Sequence, residues 1–82
     1  MLFFKNNAYM LKSKGHTLYS QIKNLQEEGL KIDYGNVHKL ASGKQSSASL
    51  SYLHFFTRYW GVSLLDMIAC DLELREKARE GL

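Results

Sequence analysis

Histidine and cysteine are the residue types best suited to metal or redox chemistry, and neither is grouped as such a site requires. His16, His38 and His54 are far apart in the sequence, and Cys70 is the only cysteine. Zinc sites need three or four such ligands, and most place two of them within a few residues. We therefore expect no metal, no cofactor and no disulfide within the chain.

Serine is the next candidate nucleophile, because Ser46, Ser47, Ser49 and Ser51 cluster in one polar stretch. No Gly-x-Ser-x-Gly elbow accompanies them, and no activating base can be assigned. The glycines are also too scattered to form a phosphate loop. We expect no enzyme activity and no small-molecule ligand.

Charge is unevenly distributed along the chain. Residues 1–70 hold eight Lys and Arg and four Asp and Glu, a net charge of +4, whereas residues 71–82 hold three and four, a net charge of −1. A positive body with a mixed-charge end favours a polyanionic partner.

The elements that would position these residues are helices separated by glycine. Apolar residues recur at helical spacing over residues 3–14, 18–28, 34–42, 50–60 and from 64 onward, where the pattern continues into Leu72. The predicted N-caps are Thr17, Asp33, Ser49 and Ser63. The residues expected to face the core are Phe4, Ala8, Leu11, Leu18, Ile22, Leu25, Val37, Leu40, Ala41, Leu50, Leu53, Phe56 and Trp60.

A chain of 82 residues without proline favours one all-α domain around one core. We expect residues 1–72 to form this domain and residues 73–82 to form a charged helical tail. The apolar runs are far shorter than the roughly 20 residues of a membrane span, and residues 1–4 do not resemble a signal peptide. With a single cysteine, these features predict a cytoplasmic protein.

Two stretches resemble a known family. Residues 32–44 (IDYGNVHKLASGK) and residues 49–68, which include the run WGVSL, match by residue type the lambda-repressor/Cro-like (XRE-type) helix-turn-helix family of DNA-binding proteins. The resemblance covers residues 3–68 and implies a compact five-helix domain with the helix-turn-helix at helices two and three. The segment from Gly29 to Val37 is longer than the family's usual turn, and Ile22 is followed by Lys23 where the family commonly has Ala.

The resemblance implies that the third helix enters the major groove of DNA. There Lys39 is suited to guanine O6 and N7, and Asn36 to adenine N6 and N7. The loop after this helix would contact phosphates, as would the N-terminus of the second helix. The expected DNA contacts are Tyr34, Gly35, Asn36, His38, Lys39, Lys44, Gln45, Ser46, Thr17 and Gln21.

Plainer explanations exist for the same residues. Lysines such as Lys39 and Lys44 are favoured near a helix C-terminus by the helix dipole alone, and Asn36 also suits an ordinary surface. Gly35 either lets the backbone approach the groove closely or removes one contact.

Two functions therefore follow from the sequence. The first is a phage-type or mobile-element repressor that regulates transcription by binding operator DNA as a homodimer, since one recognition helix reads only a few base pairs. The second is a helical protein–protein interaction module, such as an antitoxin or adaptor. The residues expected at the dimer interface are Tyr59, Leu65, Ile68, Leu72 and Leu74.

Overall fold

The structure, a computed structural model, describes residues 2–41 and 50–81, with only the backbone of Ala41. These residues form a compact bundle of six helices and contain no strand, which confirms the all-α class. The helices are α1 (Leu2–Lys14), α2 (Leu18–Glu27), α3 (Tyr34–Ala41), α4 (Leu50–Trp60), α5 (Leu64–Ala69) and α6 (Leu72–Glu80).

Helix α1 is the central element, because it packs against α3, α5 and α6. Helix α2 packs against α3 and α4, and α4 also packs against α5. The candidate recognition helix α3 therefore rests on two other helices, which fixes its orientation.

An aromatic cluster lies in the core between α1 and α4. The rings of Phe3, Phe4 and Phe56 meet edge to face, with centroids 5.1 to 6.1 Å apart. All three side chains are buried, and edge-to-face pairs contribute about 0.5–1.5 kcal/mol beyond the burial of their area. This cluster joins the first helix to the fourth.

Eight of the thirteen predicted core residues are buried and two are exposed, while Leu18 and Trp60 are partly buried against the core and the side chain of Ala41 lies outside the described residues. Ala8 is exposed because it lies on the flank of an α1 face whose centre is Asn7, and Leu50 is 65% exposed at the edge of the α4 face formed by Leu53 and Phe56. The predictions for Ala8 and Leu50 were wrong. The predictions confirmed as buried are Phe4, Leu11, Ile22, Leu25, Val37, Leu40, Leu53 and Phe56.

The fifth helix does not continue into Leu72 as the apolar spacing predicts. Helix α5 ends at Ala69, Cys70 has an extended backbone (φ −115°, ψ 137°), and Asp71 caps α6 through a bond from Leu74 N of 3.1 Å. Residues 73–80 of the predicted tail are thus part of a separate helix.

The side chain of Asn6 bridges this break. Its Nδ2 donates to the carbonyls of Met67 (2.6 Å) and Cys70 (2.7 Å), and its Oδ1 accepts from Leu72 N (3.0 Å). Asn6 is 1% exposed, so it satisfies buried backbone groups that the end of one helix and the start of the next would leave unpaired.

Candidate nucleic-acid interface on helix α3

Helix α3 is capped by Asp33, as its sequence predicts. The Asp33 carboxylate accepts a hydrogen bond from the backbone N–H of Asn36 at 2.8 Å, and its carbonyl accepts from Val37 N at 3.3 Å. An aspartate at this position satisfies a backbone donor that the first helical turn leaves free. The predicted cap is confirmed.

Hydrogen bonds and a buried side chain hold the segment between α2 and α3 against the rest of the domain. Gly29 has a φ of +100°, which favours glycine, and Leu30 N donates to Leu25 O at 3.1 Å, which closes α2. Ile32 is buried in the core, and Gln26 Nε2 donates to its carbonyl at 2.7 Å. These contacts set where α3 begins.

Helix α3 has one buried and one exposed face. Val37 is fully buried and Leu40 is 8% exposed, which confirms their inward placement. The exposed residues are Tyr34, Gly35, Asn36, His38 and Lys39. All five belong to the expected DNA contacts, and their contact with DNA remains a prediction.

Some outward side chains of α3 contact one another. The rings of Tyr34 and His38 stack one turn apart, with centroids 6.3 Å apart and planes 25° from parallel. Asn36 Nδ2 donates to Asp33 Oδ2 at 3.2 Å. The face thus presents a flat aromatic pair beside an amide that is already oriented.

Gly35 has a local structural role. A Cβ added there would lie 3.3 Å from Asp33 Oδ1. A larger residue would therefore press on the carboxylate that caps the helix. The glycine leaves room for this cap, a reason that its sequence position alone does not reveal.

At the start of α2, Thr17 is the N-cap that the sequence predicts, and its contact with DNA stays a prediction. Thr17 is exposed and its Oγ1 accepts from Ser20 N at 3.1 Å, so the predicted N-cap is confirmed. Nearby, Tyr19 is 63% exposed, and Lys23 Nζ lies 5.5 Å from the centre of its ring. Tyr19 and Lys23 are therefore accessible to a phosphate backbone.

Gln21 was wrongly placed among the DNA contacts. Its side chain is fully buried, with Nε2 donating to Asn7 Oδ1 at 2.7 Å and Oε1 accepting from Asn7 Nδ2 at 3.0 Å. Trp60 Nε1 donates to the same Asn7 oxygen at 2.7 Å. The Gln21 amide therefore joins α2 to α1 and is not available at the surface.

Sequence reasoning missed this polar network, although helical spacing contained a signal for it. Asn7 lies between Phe4 and Leu11 at i, i+3 and i+7, and Asn6 stands in the same relation to Phe3 and Met10. An asparagine at a core position needs polar partners. The partners are distant in sequence, so spacing alone could not name them.

Three of the five expected dimer residues are exposed. Leu65 is 68% exposed, Ile68 40% and Leu74 64%. Leu72 is 7% exposed because it is packed inside its own subunit, so its assignment to an interface was wrong.

Tyr59 is partly exposed and is held within its own chain. Its hydroxyl lies 2.7 Å from His16 Nδ1, and its ring meets Trp60 edge to face at 4.6 Å. Burial raises the pKa of the Tyr59 hydroxyl.

The loop expected to follow α3 lies outside the described residues. Lys44, Gln45 and Ser46 are expected to lie along the DNA backbone, and Ser49 is a predicted cap; all four are outside the described residues.

Within the described ranges, no three His, Cys, Asp or Glu residues are placed to hold a metal ion. No helix in those ranges is long and apolar enough to cross a membrane.

A second surface feature is an open groove of about 650 Å³ between α1 and α6. Three lysines and three glutamates line it, so its side-chain charges balance. Its lining residues are Lys5, Ala8, Tyr9, Lys12, Ser13, Glu73, Glu76, Lys77 and Glu80.

Comparison with known proteins adds no relative: no protein-family model, no curated protein and no solved structure matches this chain.

Proposed function

We propose that this protein is a cytoplasmic, sequence-reading DNA-binding regulator of the lambda-repressor/Cro-like helix-turn-helix type. It would repress transcription by occupying an operator and blocking polymerase. The observation that carries the proposal is the outward face of α3. Tyr34, Asn36, His38 and Lys39 are exposed there, while the opposite face is buried against the rest of the bundle.

The chemistry of this face suits base edges. The major groove admits an α-helix, and base edges are read by amide, amine and aromatic groups of the kinds that α3 exposes. The sequence of α3 itself contains no Asp or Glu, although the capping carboxylate of Asp33 lies beside its first turn. Lys39 would donate to guanine, and the ring of Tyr34 would contact a thymine methyl group.

The charge of the chain supports a phosphate partner. Residues 1–70 carry a net charge of +4, and Lys23 on α2 and Lys31 in the segment between α2 and α3 are exposed. Neutralising phosphates releases counterions, so this part of the affinity would fall as salt rises.

A homodimer would supply the remaining affinity. Helix α3 has only eight residues, so one copy reads a short sequence, and two copies on a near-palindrome would read half-sites about 10 base pairs apart. The exposed Leu65, Ile68 and Leu74 support α5 and α6 as the contact. The mass of the complex with a two-half-site duplex measures this: two protein chains per duplex are expected, and one chain would contradict it.

The test is selection from a pool of randomised duplexes with the wild-type protein, in parallel with Lys39→Ala and Lys12→Ala. Lys12 is an exposed lysine on α1 and serves as the matched control. A shared sequence enriched by wild type and Lys12→Ala, but altered with Lys39→Ala, is expected. Enrichment of no sequence by the wild type would contradict the proposal.

A protein–protein interaction module is the second candidate. Its specific support is the apolar exposure at Leu65 and Leu74 together with the mixed-charge groove between α1 and α6, since exposed apolar surface and paired charges suit a protein partner. Binding of a partner protein that Leu65→Glu abolishes and Lys39→Ala leaves unchanged would favour this candidate.

A further inference from the structure

Asp33 holds both the backbone and the side chain of Asn36. Its Oδ1 accepts from Asn36 N at 2.8 Å, and its Oδ2 accepts from Asn36 Nδ2 at 3.2 Å. Asp33 directly precedes α3 and Asn36 lies in its first turn, and both residues are exposed. The first bond is an ordinary helix cap, whereas the second constrains a side chain that the cap does not need.

The second bond determines which end of the Asn36 amide faces outward. An ionised carboxylate only accepts hydrogen bonds, so the NH₂ end of the amide must face Asp33. A flipped amide would place Asn36 Oδ1 against the negative charge. One N–H and the carbonyl oxygen of Asn36 therefore remain for an external partner, with their order fixed.

This remaining pair of groups distinguishes the purines. In the major groove adenine presents the N7 acceptor beside the N6 amino donor, which matches one N–H and one carbonyl oxygen. Guanine presents two acceptors, N7 and O6, so the Asn36 oxygen would face another oxygen. Arginine and lysine, not a fixed asparagine amide, suit guanine.

Resting on the proposed function, we propose that Asn36 is a specificity-determining residue that reads adenine in the major groove, and that Asp33 is its positioning residue. Asp33 itself contacts no base. It orients the amide before DNA binds, which reduces the side-chain ordering that binding requires.

The test uses the duplex that the wild-type protein selects, with each A·T pair replaced in turn by G·C. Asn36→Ala is expected to lose roughly fivefold to a hundredfold of the discrimination at one of these pairs. Replacing adenine at that pair by 7-deazaadenine removes the N7 acceptor. It should weaken binding by the wild type and leave binding by Asn36→Ala unchanged.

Asp33→Ser separates positioning from capping. Serine caps helices about as well as aspartate, so the thermal midpoint should change little. Its single hydroxyl accepts from the backbone N–H of Asn36 and cannot also hold the side-chain amide of Asn36. Removing the negative charge should raise affinity for all duplexes alike. The adenine-to-guanine preference at the Asn36 pair should fall roughly two- to tenfold.

The outcomes are distinguishable. If the wild type prefers no sequence, the proposed function fails and the inference fails with it. If the wild type selects a sequence but Asn36→Ala keeps the preference at every A·T pair, the reading of adenine by Asn36 is wrong and the DNA-binding function stands. If Asn36→Ala loses the adenine preference but Asp33→Ser retains it in full, the positioning role of Asp33 is wrong.

Discussion

Asn7 and Gln21 show how single polar residues determine the position of helices in this small domain. The two amides are buried and exchange two hydrogen bonds, and Trp60 adds a third. Buried amides of this kind stabilise only the arrangement in which all their groups are paired. They therefore set the position of α2, and through it that of α3.

Gln21→Ala should destabilise the protein by roughly 1–3 kcal/mol, because the buried Asn7 Nδ2 loses its acceptor. Asn24→Ala is the matched control, since Asn24 is an exposed amide residue on the same helix. Chemical denaturation of the two variants measures the effect. Equal stability of Gln21→Ala and Asn24→Ala would contradict the proposed role of the network.

The two lysines predicted to contact DNA should behave differently. Lys39→Ala should weaken binding at one or two base positions by roughly 1–3 kcal/mol, because Lys39 is expected to contact bases, whereas Lys44→Ala should weaken binding to all sequences alike because it is expected to contact phosphate. Affinities of both variants for selected and random duplexes measure this. The same effect of both variants on both duplexes would argue against α3 as the reading helix.

Among the elements, the junction of α5 and α6 is the feature that sequence periodicity could not predict. Ile68 and Leu72 continue the apolar spacing of one helix, yet the chain bends at Cys70. The bend depends on Asn6, which lies more than sixty residues away in sequence and pairs with backbone groups on both sides of it. Local spacing contains no information about such a partner.

Asn6→Ala should destabilise the protein by roughly 1–3 kcal/mol, since it removes the side-chain partner of three backbone groups at the junction. The backbone N–H of Leu72 should also exchange with solvent faster than in the wild type. Ser13→Ala, an exposed change on the same helix, is the control. Unchanged exchange at Leu72 in Asn6→Ala would show that the junction does not depend on this side chain.

The junction also confers a dependence on pH. The hydrogen bond from Lys5 Nζ, with the bond from Leu74 N, lowers the pKa of the Asp71 carboxyl from its ordinary value. A carboxyl with a lowered folded-state pKa contributes stability above its unfolded pKa, and this contribution is lost as the pH falls through the folded value.

Asp71→Asn should therefore flatten the fall in thermal midpoint between about pH 5 and pH 3. The expected difference is small, because the ion pair is exposed to solvent. Asparagine still caps the helix, so the helix start should remain. Glu76→Gln is the control, as Glu76 is an exposed acid with no ion partner among the described residues. Identical pH profiles of Asp71→Asn and wild type would contradict this role.

In the molecule as a whole, most boundaries of the first four helices followed from glycines, caps and apolar spacing, whereas the break that makes α6 a separate helix did not. Thr17, Asp33 and Ser63 cap the helices as predicted, because a cap is a local interaction that sequence can reveal. Gln21 and Leu72 were misplaced because burial is decided by distant helices. The outward face of α3 was predictable, since it is the complement of Val37 and Leu40.

Salt-dependent binding tests most directly whether this domain reads DNA sequence with α3, as we propose. Fluorescence anisotropy would compare the selected duplex with a scrambled duplex of the same composition at several salt concentrations. We predict tighter binding to the selected duplex at every concentration, with affinity for both falling steeply as salt rises. Equal affinity for the two duplexes, or no binding even at low salt, would contradict the claim.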